Sequence, residues 1–173
     1  MLEHYPNFVM NVNLAYPQLA HAGFVEIVKT IVDETGYPPQ NLCLELTERC
    51  KQLETQCLQK VVSELKEYGI KIAIDDFGTG FSSLNLLSDL PVDTLKIDRG
   101  FVWDIQTNSS NQAIVKAVTG CAEDLNVHVC MEGLENREMI DFVKRYDIYS
   151  YQGFHFSRPI PIEQFLEKYV TKS

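Results

Sequence analysis

Two adjacent carboxylates stand at the end of an apolar segment and run directly into a glycine-containing loop. Residues 74–83 read IDDFGTGFSS, in which Asp75 and Asp76 form the acidic pair, and Gly78 and Gly80 permit a tight turn with positive φ. Carboxylate oxygens are the ligands that Mg²⁺, Mn²⁺ and Ca²⁺ prefer in proteins. The segment therefore indicates a metal site, and a bound metal ion would attract phosphate groups. The Asp-Phe-Gly triplet alone does not indicate a protein kinase, because the other kinase motifs are absent.

Charged residues also end the other short apolar segments. Glu45 lies in LCLEL at 42–46, Lys96 and Asp98 lie in TLKID at 94–98, and Glu132 ends VHVCME at 127–132. Short apolar runs bounded by polar residues are typical of buried strands. Each predicted strand therefore carries a chemically active side chain near its carboxyl end.

The elements that must position these residues alternate regularly between strand and helix. The hydrophobic pattern predicts six strands, at 8–14, 42–46, 70–75, 94–97, 127–131 and 150–156. It predicts helices between them at 18–35, 52–68, 82–88, 111–126 and 137–145. This rhythm predicts an α/β fold with a parallel sheet, and six strands favour a barrel or part of one over an open doubly wound sheet.

Alternation along the strands assigns the polar side chains to one face. The other face is aliphatic and suits packing against helices. At the carboxyl ends of the strands, the polar face would bring together five oxygen-bearing residues: Asn13, Glu45, Asp75, Asp76 and Glu132. Each of these residues alone could be an ordinary strand-end residue that faces water. All five, however, lie at the carboxyl ends of the strands, where barrel enzymes have their active centres, and this favours a functional site.

Lys96 lies on the same inward face, where an ammonium group needs a carboxylate partner. Asp98 and Asp76 are the predicted partners, and a contact with phosphate or water is the predicted role. A Schiff-base role is disfavoured because a lysine surrounded by acids keeps its proton.

Composition limits the remaining possibilities. The 173 residues, 45% hydrophobic and 23% charged, suit one domain with its own core, and the net charge of −9 disfavours a nucleic-acid polymer as partner. No apolar run reaches the length of a membrane span, and no signal peptide is recognisable, so we expect a cytoplasmic protein. The five cysteines form no CxxC pair, which favours reduced, buried thiols over a disulfide or a zinc site.

Five motifs together resemble the EAL domain of bacterial cyclic di-GMP phosphodiesterases in order and spacing. They are LELTE at 44–48, DDFGTGFSSL at 75–84, LKID at 95–98, EGLE at 132–135 and YQGF at 151–154. The resemblance covers about residues 7–165. It implies a TIM-like (β/α) barrel that uses one or two Mg²⁺ or Mn²⁺ ions to hydrolyse cyclic di-GMP to linear pGpG in bacterial signal transduction.

The resemblance also implies roles for individual residues. Asn13, Glu45, Asp75 and Asp76 resemble metal ligands, with Asp76 serving a second metal or the attacking water. Lys96, Glu132 and Asp76 would act on that water. Asp98 would support the lysine and the metals. Gln152 and Glu135 would lie near the substrate or the second metal. Glu48 would anchor the loop after Asp76.

The chain departs from the family at its start. No Glu-Ala-Leu segment is present, so residues 1–173 are expected to form one EAL-type domain with about six of the eight barrel strands, lacking the first two. The family's intervening helix and substrate-contacting arginine would then be absent as well. An open barrel leaves unpaired strand edges, so we expect either an N-terminal segment or a second copy in a homodimer to cover them.

Two other functions remain compatible with the sequence. One is a noncatalytic module that binds cyclic di-GMP or a protein partner. The other is a metal-dependent barrel hydrolase or lyase acting on a different phosphate compound.

Overall fold

A single parallel sheet organises the molecule. In the computed structural model, which describes residues 5–47, 50, 54–78 and 83–170, six strands lie in the order β1 to β6. They are β1 Met10–Leu14, β2 Leu42–Thr47, β3 Lys71–Phe77, β4 Thr94–Ile97, β5 His128–Met131 and β6 Ser150–Tyr151. Every neighbouring pair is parallel, which confirms the predicted β/α architecture.

Helices connect the strands. They are α1 Tyr16–Leu19, α2 Phe24–Thr35, α3 Thr55–Glu67, α4 Ser83–Asp89, α5 Ser109–Asp124, α6 Arg137–Val143 and α7 Ile162–Tyr169, with 3₁₀ turns at Pro39–Asn41 and Arg99–Phe101. Asn108 caps α5 by accepting hydrogen bonds from the backbone N–H groups of Ser110 and Asn111, both at 3.1 Å. No helix within the described part of the chain is long and apolar enough to cross a membrane.

Two predicted elements differ clearly from the structure, and one helix was missed. The helix expected at 18–35 is divided into α1 and α2, because Gly23 takes a left-handed φ of 83° between them. The strand expected at 150–156 ends at Tyr151, since the following backbone turns to hydrogen-bond Leu134. Helix α7 was not predicted, although Ile162, Leu166 and Tyr169 repeat at helical spacing.

The core lies between the outer sheet face and the helices. Leu46, Ile72, Ile74, Leu95 and Met131 have at most 1% of their surface exposed. Helix α3 presents Leu58, Val62 and Leu65 to this layer, so Cys57 is exposed rather than buried as expected. All five cysteines are free thiols, and Cys43, Cys50 and Cys130 are buried.

Strand β1 forms one edge of the sheet. Met10 and Val12 are each 40% exposed, and Ile27 and Ile31 of the neighbouring α2 are 48% and 54% exposed. Together with other apolar side chains they line a groove of about 540 Å³. The sheet is thus a half-barrel whose β1 edge presents aliphatic surface.

Asp93 joins three elements ahead of β4. Its carboxylate pairs with Lys66 of α3 and accepts a 2.7 Å hydrogen bond from the backbone N–H of Ile72 in β3. Its backbone carbonyl accepts a 2.9 Å hydrogen bond from His128 N–H in β5. The side chain therefore fixes α3 against the sheet.

We predict that Asp93→Ala lowers the free energy of unfolding by about 1–3 kcal/mol, because it leaves the Ile72 N–H and Lys66 without their carboxylate. Urea unfolding followed by circular dichroism measures this loss. Asp89→Ala, at an exposed position on α4, is the control. Equal unfolding midpoints for the two variants would contradict the assigned role.

Candidate active site

The site lies where β2 to β5 end. Glu45, Asp75 and Lys96 lie near the carboxyl ends of β2, β3 and β4, and Glu132 directly follows β5. Parallel strands present their carboxyl ends at the same edge of the sheet, so side chains from four strands meet without any long excursion of the chain.

Lys96 is the centre of this group. Its ammonium Nζ lies 2.9 Å from Glu45 Oε1, 2.8 Å from Asp75 Oδ1 and 2.8 Å from Glu132 Oε1. The Lys96 side chain is only 4% exposed, and the three carboxylate side chains are 6–14% exposed. Four buried charges therefore form one ion-pair network.

The network keeps the lysine protonated. Burial acts to lower the pKa of Lys96, but the contacts with Asp75, Glu132 and Glu45 outweigh it and raise that pKa above its ordinary value. Burial also raises the pKa of Glu132, while Lys96 opposes the rise. The three carboxylates therefore favour the charged form of the lysine.

The prediction that carboxylates hold Lys96 charged is confirmed, but its ion pairs are not with Asp98. The ammonium pairs with Glu45, Asp75 and Glu132, three residues that had been expected to bind metal or water, and it also interacts electrostatically with Asp76. Asp98 instead accepts a 2.8 Å hydrogen bond from Gly100 N–H and caps the 3₁₀ turn Arg99–Phe101. A short acidic residue before a turn is typical of such caps, and this signal in the sequence was overlooked.

Asp76 reaches the site through an irregularity in β3. Strict alternation would direct Asp75 and Asp76 to opposite faces. The register of β3 against β4 shifts between Ile74 and Phe77, and Asp76 takes a left-handed φ of 54°. A bulge of this kind redirects one side chain, so both carboxylates reach the same site.

Three carboxylates are close enough to share a cation. Oxygens of Asp75, Asp76 and Glu132 lie within 4.8 Å of one another. Burial, followed by the charges of Asp75 and Asp98, raises the pKa of Asp76, as expected for a crowded acid.

One oxygen of this cluster is buried against the lysine. Asp75 Oδ1 is buried, and it lies 2.8 Å from Lys96 Nζ. An all-oxygen set of this kind fits a hard divalent cation such as Mg²⁺, Mn²⁺ or Ca²⁺.

The remaining predicted residues lie around this centre. Asn13 is exposed on β1 and pairs in register with Glu45, whereas Asn11 donates a 2.9 Å hydrogen bond to Glu45 Oε1. Asn11 was missed as a site residue, although alternation placed it on the same face as Asn13. Its role is to hold the Glu45 carboxylate in place.

The other three residues predicted to support the site are Gln152, Glu135 and Glu48. For the first two, the structure gives no side-chain hydrogen bond or ion pair with the acidic cluster among the described residues. Gln152 and Glu135 are exposed, and the structure shows Gln152 bonded through its backbone to Met131 and Leu134. Glu48 lies outside the described residues, as do Thr79, Gly80 and Ser82 of the loop after Asp76.

We predict that Lys96→Met lowers the free energy of unfolding by about 3 kcal/mol or more without metal, because three buried carboxylates lose their cation. Added Mn²⁺ should raise the thermal midpoint of this variant more than that of the wild type, since the cation replaces the missing charge. Lys60→Met, at a lysine 78% exposed, is the control. A variant as stable as the wild type in the presence of a chelator would contradict the central role of the ammonium.

Comparison with known proteins supports this architecture. The family model for the EAL domain matches residues 2–159. The bifunctional diguanylate cyclase/cyclic di-GMP phosphodiesterase MucR of Pseudomonas aeruginosa is 39% identical over 155 residues, covering 90% of this chain and 23% of MucR. The chain spans about a quarter of the length of the curated relatives it matches.

Solved structures are similar over about nine-tenths of the chain. The phosphodiesterase of MucR in complex with cyclic di-GMP has a TM-score of 0.84 and 39% identity, covering 91% of this chain and 64% of that one. Klebsiella pneumoniae BlrP1 with manganese and cyclic di-GMP has a TM-score of 0.83 and 34% identity. This match covers 91% of this chain and 41% of the BlrP1 chain. A calcium complex of BlrP1 also matches.

The family match over residues 2–159 agrees with the six parallel strands and with the motifs in the sequence. The chain belongs to the EAL domain family.

Proposed function

We propose that this chain forms the catalytic centre of a cyclic di-GMP phosphodiesterase that uses Mg²⁺ or Mn²⁺ to produce linear pGpG. The observation that carries the proposal is the buried Lys96, held by three carboxylates beside the oxygen cluster of Asp75, Asp76 and Glu132. Relatives that are 31% to 39% identical to the chain have cyclic di-GMP phosphodiesterase in their names.

Asp75, Asp76, Glu45 and Asn13 are the proposed metal ligands, and Glu132 lies close enough to share a cation with the two aspartates. A bound divalent cation supplies the usual chemistry of such sites, lowering the pKa of water and stabilising charge on the phosphate oxygens. The carboxylates contribute by fixing the cation's position, and Asn11 and Lys96 contribute by fixing the Glu45 carboxylate.

Lys96 and Glu132 are proposed to act on the attacking water. The protonated Lys96 ammonium can donate a hydrogen bond and stabilise developing negative charge. Glu132 has a raised pKa, which makes its carboxylate a better proton acceptor than an exposed glutamate. Their 2.8 Å contact keeps the donor and acceptor in a fixed relation.

The remaining residues are assigned supporting roles. Gln152 and Glu135 are proposed to contact substrate or a second metal, and Glu48 to anchor the loop after Asp76. Asp98 acts through the turn that it caps. A cytoplasmic location is proposed because five free thiols suit a reducing compartment.

A second candidate is a noncatalytic module that binds cyclic di-GMP or a protein partner. It is favoured by one observation: Lys96 pairs at once with Glu45, Asp75 and Glu132, so this part of the acidic cluster already has a structural cation. In that case the carboxylates would stabilise the fold, and no turnover would be observed.

We predict metal-dependent formation of pGpG when cyclic di-GMP is incubated with this chain and Mn²⁺, and loss of activity by about a hundredfold or more in Asp75→Asn. Chromatography of the products measures both. Asp89→Asn, at an exposed position on α4, should retain activity. Binding of cyclic di-GMP without product would support the noncatalytic module instead.

We also propose that residues 1–173 belong to one EAL-type barrel that lacks two of its eight strands in this chain. The exposed aliphatic residues along β1 and α2 support this proposal, because a closed barrel would cover them. Either another polypeptide segment or a second copy of the chain would complete the surface.

We predict that the wild-type chain binds the dye ANS at the β1 groove, because contiguous apolar surface is accessible there. The double substitution Ile27→Lys and Ile31→Lys should reduce ANS fluorescence and change stability by no more than about 0.5 kcal/mol. Ile114→Lys, at an isoleucine 43% exposed on α5, is the control. A monomer in light scattering that binds no ANS would contradict the open barrel.

A further inference from the structure

The 3₁₀ turn Arg99–Phe101 lies between two glycines of the site. Gly78 follows Asp76 by two residues, and Gly133 directly follows Glu132. Asp98 N–H approaches Phe77 O at 3.5 Å, and Glu132 N–H donates to Ile97 O at 3.2 Å. The turn is therefore adjacent to the backbone that carries both Asp76 and Glu132.

The ring of Phe101 packs directly on Gly78. A Cβ atom at Gly78 would lie 2.4 Å from Phe101 Cε2 and 2.7 Å from Cζ, distances that real atoms do not adopt. Gly78 also has a φ of 98°, which a residue with a side chain rarely takes. The aromatic ring therefore fills the space that any side chain at this position would need.

The other side of the turn makes a similar contact. A Cβ atom at Gly133 would lie 2.3 Å from Arg99 Cβ, and Gly133 has a φ of 71°. Thus both glycines next to the acidic site permit close approach of the same turn. The turn thus contacts both the segment after β3 and the segment after β5.

Asp76 requires support of this kind. Its left-handed conformation, with φ of 54°, is uncommon for a residue with a side chain, although aspartate tolerates it better than most, and contacts with neighbouring structure help to maintain it. The same conformation brings its carboxylate within 4.8 Å of Asp75 and Glu132. A rigid apolar ring against Gly78, two residues later, limits the backbone movements that would release Asp76.

We propose that Phe101 is a positioning residue for metal binding: its ring, packed against Gly78, holds Asp76 in the conformation that completes the oxygen cluster with Asp75 and Glu132. The proposal rests on the metal site of the proposed function. It assigns no contact between Phe101 and substrate or metal.

The test is titration of the chain with Mn²⁺, with free Mn²⁺ followed by electron paramagnetic resonance. Phe101→Ala should weaken Mn²⁺ binding by about tenfold or more, the size typical of losing a group that orients a metal ligand. Phe101→Met, which keeps a long apolar side chain, should restore part of the affinity. This rescue separates positioning from general loss of structure.

Phe142→Ala is the matched control. Phe142 is also a half-buried phenylalanine that packs against the core, but it lies on α6 away from Gly78. It should change Mn²⁺ affinity by less than about twofold while lowering the thermal midpoint as much as Phe101→Ala does. All titrations are made at a temperature where each variant is folded by circular dichroism.

Gly78→Ala tests the contact itself. It should weaken Mn²⁺ binding at least as much as Phe101→Ala does, since its Cβ would meet the ring and its φ of 98° is strained. The double variant should lose less than the sum of the two, because the overlap between Cβ and ring disappears once the ring is removed. Additive losses would overturn the mechanism.

The proposal is also overturned if Phe101→Ala binds Mn²⁺ like the wild type, if Phe142→Ala weakens binding equally, or if the wild type binds no Mn²⁺. A wild type that binds Mn²⁺ without hydrolysing cyclic di-GMP would contradict the proposed catalysis but leave the positioning role intact.

Discussion

The burial of one ammonium group among three carboxylates constrains the rest of this structure. Removing Lys96 from water is costly unless each of its donors finds a partner, and the partners come from β2, β3 and the segment after β5. These strands must therefore end at the same level and present the same face. A parallel sheet with consecutive strand order satisfies both conditions at once, because its neighbouring strands run in one direction.

The same network does not depend on a closed barrel. Glu45 and Lys96 are 5% and 3% exposed within a six-stranded sheet that is open at β1. Helices α2 to α6 cover the outer face, and the charged residues cover one another on the inner face. The arrangement explains why the oxygen cluster can be assembled by β2 to β5 alone, whereas Asn13 on the edge strand remains exposed.

Period-two alternation was sufficient to predict the sheet and the convergence of Glu45, Asp75, Lys96 and Glu132, because regular strands obey it. Alternation alone would put Asp76 on the face opposite Asp75; the prediction grouped the two, and what brings them together is a bulge with a left-handed residue, a local exception to alternation. Alternation also could not pair Lys96 correctly. Neighbours in sequence, such as Asp98, seemed the nearest acids, whereas the true partners are distant in sequence and close only after folding. The packing of Phe101 on Gly78 depends on the same tertiary placement.

Charge balance links this network to the chemistry of phosphates. Four carboxylates, those of Glu45, Asp75, Asp76 and Glu132, with the single ammonium of Lys96, leave a net charge of −3 when all are ionised. Such a site repels a phosphodiester and attracts cations. One divalent ion would leave −1, and two would leave +1, so only the second ion makes the site attractive to an anionic substrate. In the proposed metal site, Lys96 would thus bring the charge close enough to neutrality for two cations to reverse it.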